Sequence, residues 1–146
     1  MSQLIQPILD AVEAVVKAAP LGNLTPFVNV KQGESVPVNF PCAFVIPRRT
    51  QFPDSGEGNM RNELHSVTVR LGILGTETLQ LTKDCIAYVA AVDGAIQASF
   101  PGPMWPNFVL RPFVMEHDFG ALFSRQGGGL AYWPEIHLLI GVEELS

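Results

Sequence analysis

Three histidines (His65, His117, His137), two cysteines (Cys42, Cys85) and one close carboxylate pair (Glu116, Asp118) are the side chains best suited to catalysis or metal binding. The histidines fall in strand-like segments, far apart in sequence. A zinc site needs ligands that converge on one point, and no His-Glu-x-x-His helix is present. Neighbouring residues of a strand point to opposite faces, so His117 and Asp118 do not readily share an ion. No metal and no cofactor is expected. Glu116 and Asp118 share a strand face about 7 Å apart, a spacing open to acid–base work and equally to a solvated edge. The Gly-x-Ser-x-Gly nucleophile elbow is missing. The thiols sit in apolar contexts without a Cys-x-x-Cys motif and read as buried and reduced. Gly127, Gly128 and Gly129 lack the lysine and helix start of a phosphate loop and read as a hairpin tip. No catalytic residue is assigned.

A second set of residues has the types that meet other proteins. The polar stretch 48–62 holds Arg48, Arg49 and Arg61, with Phe52, Asp54 and Glu57. Its arginines read either as a patch for an anion or acidic partner, or as charges that keep a loop soluble. Phe100, Met104, Trp105 and Phe108 cluster in a proline-rich connection, and Tyr132 and Trp133 flank the glycine turn that carries Arg125. Aromatics and methionine outside a core are enriched at interfaces; folding back as a lid on the core is the alternative. The candidate subunit or partner contacts are Arg48, Arg49, Phe52, Asp54, Arg61, Met104, Trp105, Arg125, Tyr132 and Trp133.

The elements that position these residues follow from apolar spacing. Leu4, Ile5, Ile8, Leu9, Val12, Val15, Val16 and Ala19 recur every three or four residues, which predicts a helix over 2–19 with Ser2 as N-cap and a stop at Pro20 and Gly22. Residues 27–31 read as a short strand, and 36–38 as edge-like because of Pro37. The continuous apolar run 42–46 reads as a strand buried on both faces. Residues 48–62 show no apolar period and read as a long mobile arm or hairpin tip. Strict alternation over 65–73 predicts a half-buried strand. A second helix spans 77–99, capped by Thr76, with Leu79, Ile86, Val89, Val92 and Ile96 as its stripe, widened by Cys85 and Tyr88. Residues 108–119 read as a strand with Phe113, Met115, His117 and Phe119 on one side. The last strand, 130–142, sets Tyr132, Ile136, Leu138, Ile140 and Val142 against Trp133, Glu135 and His137. The fold class is therefore α+β: an antiparallel sheet of mixed strand lengths, two amphipathic helices on one face, a long polar arm and a C-terminal β-hairpin. The 146 residues form one domain's worth of chain.

Composition narrows the function further. Hydrophobic residues make up 47% and charged residues 16%, which argues against disorder. No apolar run approaches the ~20 residues that span a bilayer, and no signal peptide or anchor is read. The net charge is −5. Lysines are few and the arginines scattered along the chain, so a strong grip on nucleic acid is disfavoured.

Taken whole, the order of elements resembles the tail terminator (minor tail) proteins of long-tailed bacteriophages. The resemblance is carried by the helix at 5–19, the buried strand at 41–47, the polar arm at 48–62, the strand at 65–74, the helix at 77–99 and the paired strands near the C-terminus. Related head–tail joining proteins look similar. The resemblance implies a structural virion protein that forms a hexameric ring at the head-proximal end of the tail tube. It implies partners in the tail tube protein and a head-completion or neck protein, with DNA passing the lumen unbound by sequence and no membrane. It implies no catalysed reaction. Such a protein acts in the virion tail after assembly in the host cytoplasm. A head–tail connector subunit, a small α+β enzyme and a ligand-binding module remain the alternatives. A tube grows because each ring's top matches the next ring's bottom; a terminator keeps one matching face and replaces the other.

Overall fold

The apolar spacing near the N-terminus becomes α1 (Ile5–Lys17), which buries Ile8, Leu9, Ala11, Val12, Val15 and Val16. The computed structural model describes residues 4–33, 39–53, 60–125 and 128–145, with the side chains of 60, 61, 144 and 145 left aside. Ser2, the edge-like 36–38, Asp54, Glu57 and Gly127 therefore lie outside the described residues. Leu4 takes the N-cap position without a side-chain cap bond. Pro7 costs little in the first turn, where its missing N–H would have no intrahelical partner. Lys17 closes the last turn and pairs with Glu13 at 2.6 Å.

Short β1 (Asn29–Gln32) lies parallel to β2 (Cys42–Gln51), so the sheet is mixed at this edge rather than wholly antiparallel. β2 then runs antiparallel to β3 (Met60–Gly75), from Cys42 opposite Gly72 to Gln51 opposite Leu64. Much of the polar stretch expected to be an arm is thus strand at both ends. Ladder pairing uses backbone groups and does not need apolar side chains. The side chains of β2 are buried from Cys42 to Ile46 and exposed beyond, where the strand outruns its cover.

Helix α2 (Thr78–Ser99) follows, then β4 (Val109–Asp118), β5 (Leu122–Ser124), β6 (Leu130–Tyr132) and β7 (Glu135–Leu145). The C-terminal strands are therefore not one simple hairpin. β7 pairs with both β3 and β4, and the small β5–β6 hairpin is inserted between β4 and β7. The predicted last strand breaks at Trp133 and Pro134, because proline has no N–H for a ladder. β6 pairs with one end of β3 and β7 with the rest. Gly128 and Gly129 take positive φ in the β5–β6 turn, a backbone that suits glycine.

Both helices pack into one core with the same face of the sheet. It gathers Ala43 and Val45 of β2, Val67, Val69 and Leu71 of β3, and Ile136, Leu138, Ile140 and Val142 of β7. The predicted alternation of β7 is what the fold shows. α2 buries Cys85, Tyr88, Val89, Val92 and Ile96 of its expected stripe, but Leu79 and Ile86 are exposed and Leu81 is buried instead. The helix is apolar on both sides, so two stripes satisfy the helical period, and the buried one also places Tyr88 Oη on the Thr25 carbonyl at 2.6 Å. Glu77, not Thr76, holds its N-cap position.

A smaller cluster covers part of the opposite, open face: Cys42, Phe44 and Ile46, with Phe40 and Trp133 packed on them. Trp133 fits because residue 72 is glycine. A Cβ there would stand 2.6 Å from the Trp133 ring and 2.7 Å from Cys42 Sγ. Gly72→Ala is expected to destabilise the fold by about 1–3 kcal/mol through this overlap, read as a lower urea midpoint with an unchanged slope.

Candidate functional site

β-Bulges shape the open face of the sheet. A register shift between Pro47 and Arg49 inserts one extra residue into β2, and another between Val114 and Glu116 does so in β4. A bulge changes the phase of side-chain alternation. The first sets Arg48 and Arg49 to line the same open concavity, of about 660 Å³, with Ser66, Thr68, Met115, Glu135, His137 and Leu139. The second overturns the expected phase of β4: Phe113 stands opposite Leu139, Glu116 opposite His137, and His117 opposite the core residue Ile136. His117 accordingly meets the helix layer, with Nε2 2.7 Å from Asp93 Oδ2 on α2.

Across the floor of the concavity runs a chain of charged groups. Arg70 Nε donates to Glu135 Oε2 at 2.8 Å, and Arg48 Nη2 lies 3.6 Å from the same oxygen. Arg48 Nε also donates to Thr68 Oγ1 at 3.1 Å. His137 bridges two carboxylates, with Nε2 3.0 Å from Glu135 Oε1 and Nδ1 2.9 Å from Glu116 Oε1. Burial pushes the Glu135 carboxyl up, but the bonds from His137 and Arg70 and the charges of both arginines outweigh it and hold it below the usual range. The bond to Glu135 lifts His137; partial burial opposes this, and the bond to Glu116 adds to the rise.

The carboxylates singled out for acid–base chemistry are each engaged: Glu116 with His137, and Asp118 Oδ1 with the Gly120 N–H at 2.9 Å. Among the described residues, no three His, Cys, Asp or Glu side chains are grouped to hold a metal ion. Both cysteines are free and buried. Burial pushes Cys42 up to about 11, against a backbone bond from Gly72, and Cys85 up to about 12.

The interface candidates separate into groups. Arg49, Phe52 and Met104 are exposed, Phe52 with 64% of its surface open. Arg125 is exposed with its guanidinium over the Phe40 ring, and Trp133 meets Phe40 edge-on at 5.3 Å. Tyr132 is half-buried against the core. Trp105 is folded back as a lid: it is buried, donates Nε1–H to Ser99 Oγ at 2.7 Å and meets Phe100 edge-on. Arg61 stands opposite Glu144 in the β3–β7 ladder, its side chain outside the described residues, as is Asp54.

Of the three histidines, His65 belongs to a buried polar group. His65 Nδ1 lies 2.8 Å from Thr50 Oγ1, and its Nε2 lies 2.9 Å from Glu63 Oε1. His65 and Glu63 are almost fully buried. The alternation that reveals a strand also sets residues 63 and 65 on its core side, and that was the available signal.

No family model matches the chain, and no curated protein matches it significantly. Among solved structures it is similar to a chain of the virion of native gene transfer agent (GTA) particle, with a TM-score of 0.63 and 12% sequence identity. The two chains share a fold. The likeness runs end to end, over 99% of this chain and 100% of the other.

The raised His137 pKa gives a signed expectation. The stability it contributes is fully present below its unfolded value of about 6.5 and is lost as pH rises through the higher folded value. His137→Gln is expected to flatten the fall of the urea midpoint as pH rises above about 6.5; an unchanged profile would remove His137 from the network.

Proposed function

We propose that this chain is a structural virion protein that forms a ring at the head-proximal end of a phage tail tube, stops tube growth and offers the surface on which the head docks. The observation that carries the reading is the end-to-end fold likeness to a chain of a gene transfer agent virion. The finer role is taken from the whole-chain resemblance in element order to tail terminator proteins. The proposed role needs no catalysed reaction and no cofactor. Its partners are further copies of this chain, six in a ring, with the tail tube protein on one face and a head-completion protein on the other.

The sheet edges supply a physical route to such a ring. Among the described residues β4 pairs only with β7, which leaves its other edge open over ten residues. It carries Leu110, Phe113 and Met115 exposed at 56%, 47% and 61%. An exposed apolar edge strand is an aggregation hazard unless something covers it. The opposite edge, β1, is short and differently built. Contact between two unlike edges is heterologous, and heterologous contacts close into a ring when the rotation per subunit allows it. Phe52 and Met104 add exposed apolar area. No described helix is long and apolar enough to cross a membrane.

Sedimentation velocity over a wide concentration range, alone and with purified tail tubes, tests the reading. A closed species near six subunit masses, about 95 kDa, is expected. Phe113→Asp with Met115→Asp is expected to weaken assembly at least about tenfold without lowering the melting temperature. A chain that stays monomeric or dimeric alone and beside tubes would overturn the ring. Rings that bind a head-completion protein but never a tube would assign it to the connector class.

A further inference from the structure

The register of the ladders lines up one row of residues straight across the sheet. Lys31 of β1 stands opposite Phe44, Phe44 opposite Arg70, Arg70 opposite Glu135 and Glu135 opposite Asp118 of β4. Residues directly opposite each other in a ladder share a face, so the whole row belongs to the open face. Inside the row, Arg70 and Glu135 pair at 2.8 Å. The two ends are a lysine on one edge and an aspartate on the other, both exposed. Neither has an ion-pair partner among the described residues. Both edge strands also keep one side open: among the described residues β1 pairs only with β2, and β4 only with β7. β1 is parallel to β2, and each later step across β3, β7 and β4 is antiparallel, so the two edges run in opposite directions. The helix layer adds apolar surface on the β4 side. Asp93 of α2 meets His117 of β4, and residues seven apart lie along nearly one line of a helix, so the exposed Leu79 and Ile86 stand along the same border.

We propose that β4 of one copy pairs antiparallel with β1 of the next, with Asp118 opposite the partner subunit's Lys31. The inference rests on the ring reading and gives the ring its joint. Laying a second sheet beside the first without turning it over sets β1 against β4 in opposite directions, which is the antiparallel arrangement. Keeping the transverse row continuous then brings Lys31 to Asp118. Opposite charges facing each other across two strands stabilise the ladder, and like charges oppose it. The row therefore repeats from copy to copy with an anion meeting a cation at every joint. α1 lies over β1 and β2, so the incoming copy also brings a helix to the exposed Leu79 and Ile86. β1 is only four residues long. A single joint is accordingly weak, and a closed ring, in which every copy has two, holds better than an open pair.

Sedimentation velocity of the full chain, with and without purified tail tubes, tests the pairing through charge reversal. Lys31→Glu alone and Asp118→Lys alone are each expected to raise the concentration at which rings form at least about fivefold, because like charges then meet at every joint. Mixed in equal amounts, the two variants are expected to assemble like the native chain. Alternating copies restore an opposite-charge pair at each joint, and alternation closes in a ring of six. Asp118→Asn keeps an acceptor for the Gly120 N–H and is expected to weaken assembly by a smaller factor. Unchanged melting temperatures exclude unfolding as the cause. Rings insensitive to both reversals, or losses that the mixture does not repair, overturn this inference and leave the ring standing. A response to Asp118 without one to Lys31 assigns the contact to two β4 edges and also overturns it. A chain that never assembles overturns both readings, whereas reversal and repair seen only in open chains or dimers support the pairing and overturn the ring.

Discussion

β3 is the constraint on which the rest of the structure depends. Its sixteen residues pair with β2 on one side and with β7 and β6 in succession on the other. A one-residue slip of a strand would exchange its two faces. On β3 such a slip would turn Val67, Val69 and Leu71 away from the helices and bring Thr68 and Arg70 under them. The apolar burial of one strand thus holds in place both the core and the charged chain on the other face.

Bulges are the controlled exception to that rule. They leave the central ladder in register and change phase only in the strands outside it. The result is a sheet with different chemistry on its two sides, an apolar one beneath α1 and α2 and a charged one open to solvent. Cross-strand ion pairs on an exposed face contribute little stability one at a time. The Arg48–Glu135–Arg70 and Glu116–His137–Glu135 contacts form a connected network spanning four strands, so their geometry is mutually fixed.

Much of this architecture is legible in the residues. The spacing of Ile8, Val12, Val15 and Val16 is sufficient for α1, and the alternation of Ile136, Leu138 and Ile140 for β7. What escapes has a physical reason in each case. Residues 48–51 are strand because backbone pairing is indifferent to polar side chains. α2 offers two apolar stripes, and only packing chooses between Cys85 and Ile86. The phase of β4 cannot be read past Val114 because a bulge leaves no mark in an alternating pattern. The site suffers most: Arg48, Arg70, Glu135 and Glu116 come from four strands, and no local window contains them. Trp105 looks like an interface residue until Ser99 receives its indole N–H.

The two thiols lie on opposite faces of the same sheet, Cys42 in the aromatic cluster and Cys85 in the helix-covered core. A thiol held near 11 is ionised in only about one molecule in ten thousand at pH 7, and the thiolate is the form that attacks disulfides or oxidants. The sheet between them also keeps the pair from meeting. Buried, protonated and held apart by the sheet, the two thiols are protected both from oxidants and from each other.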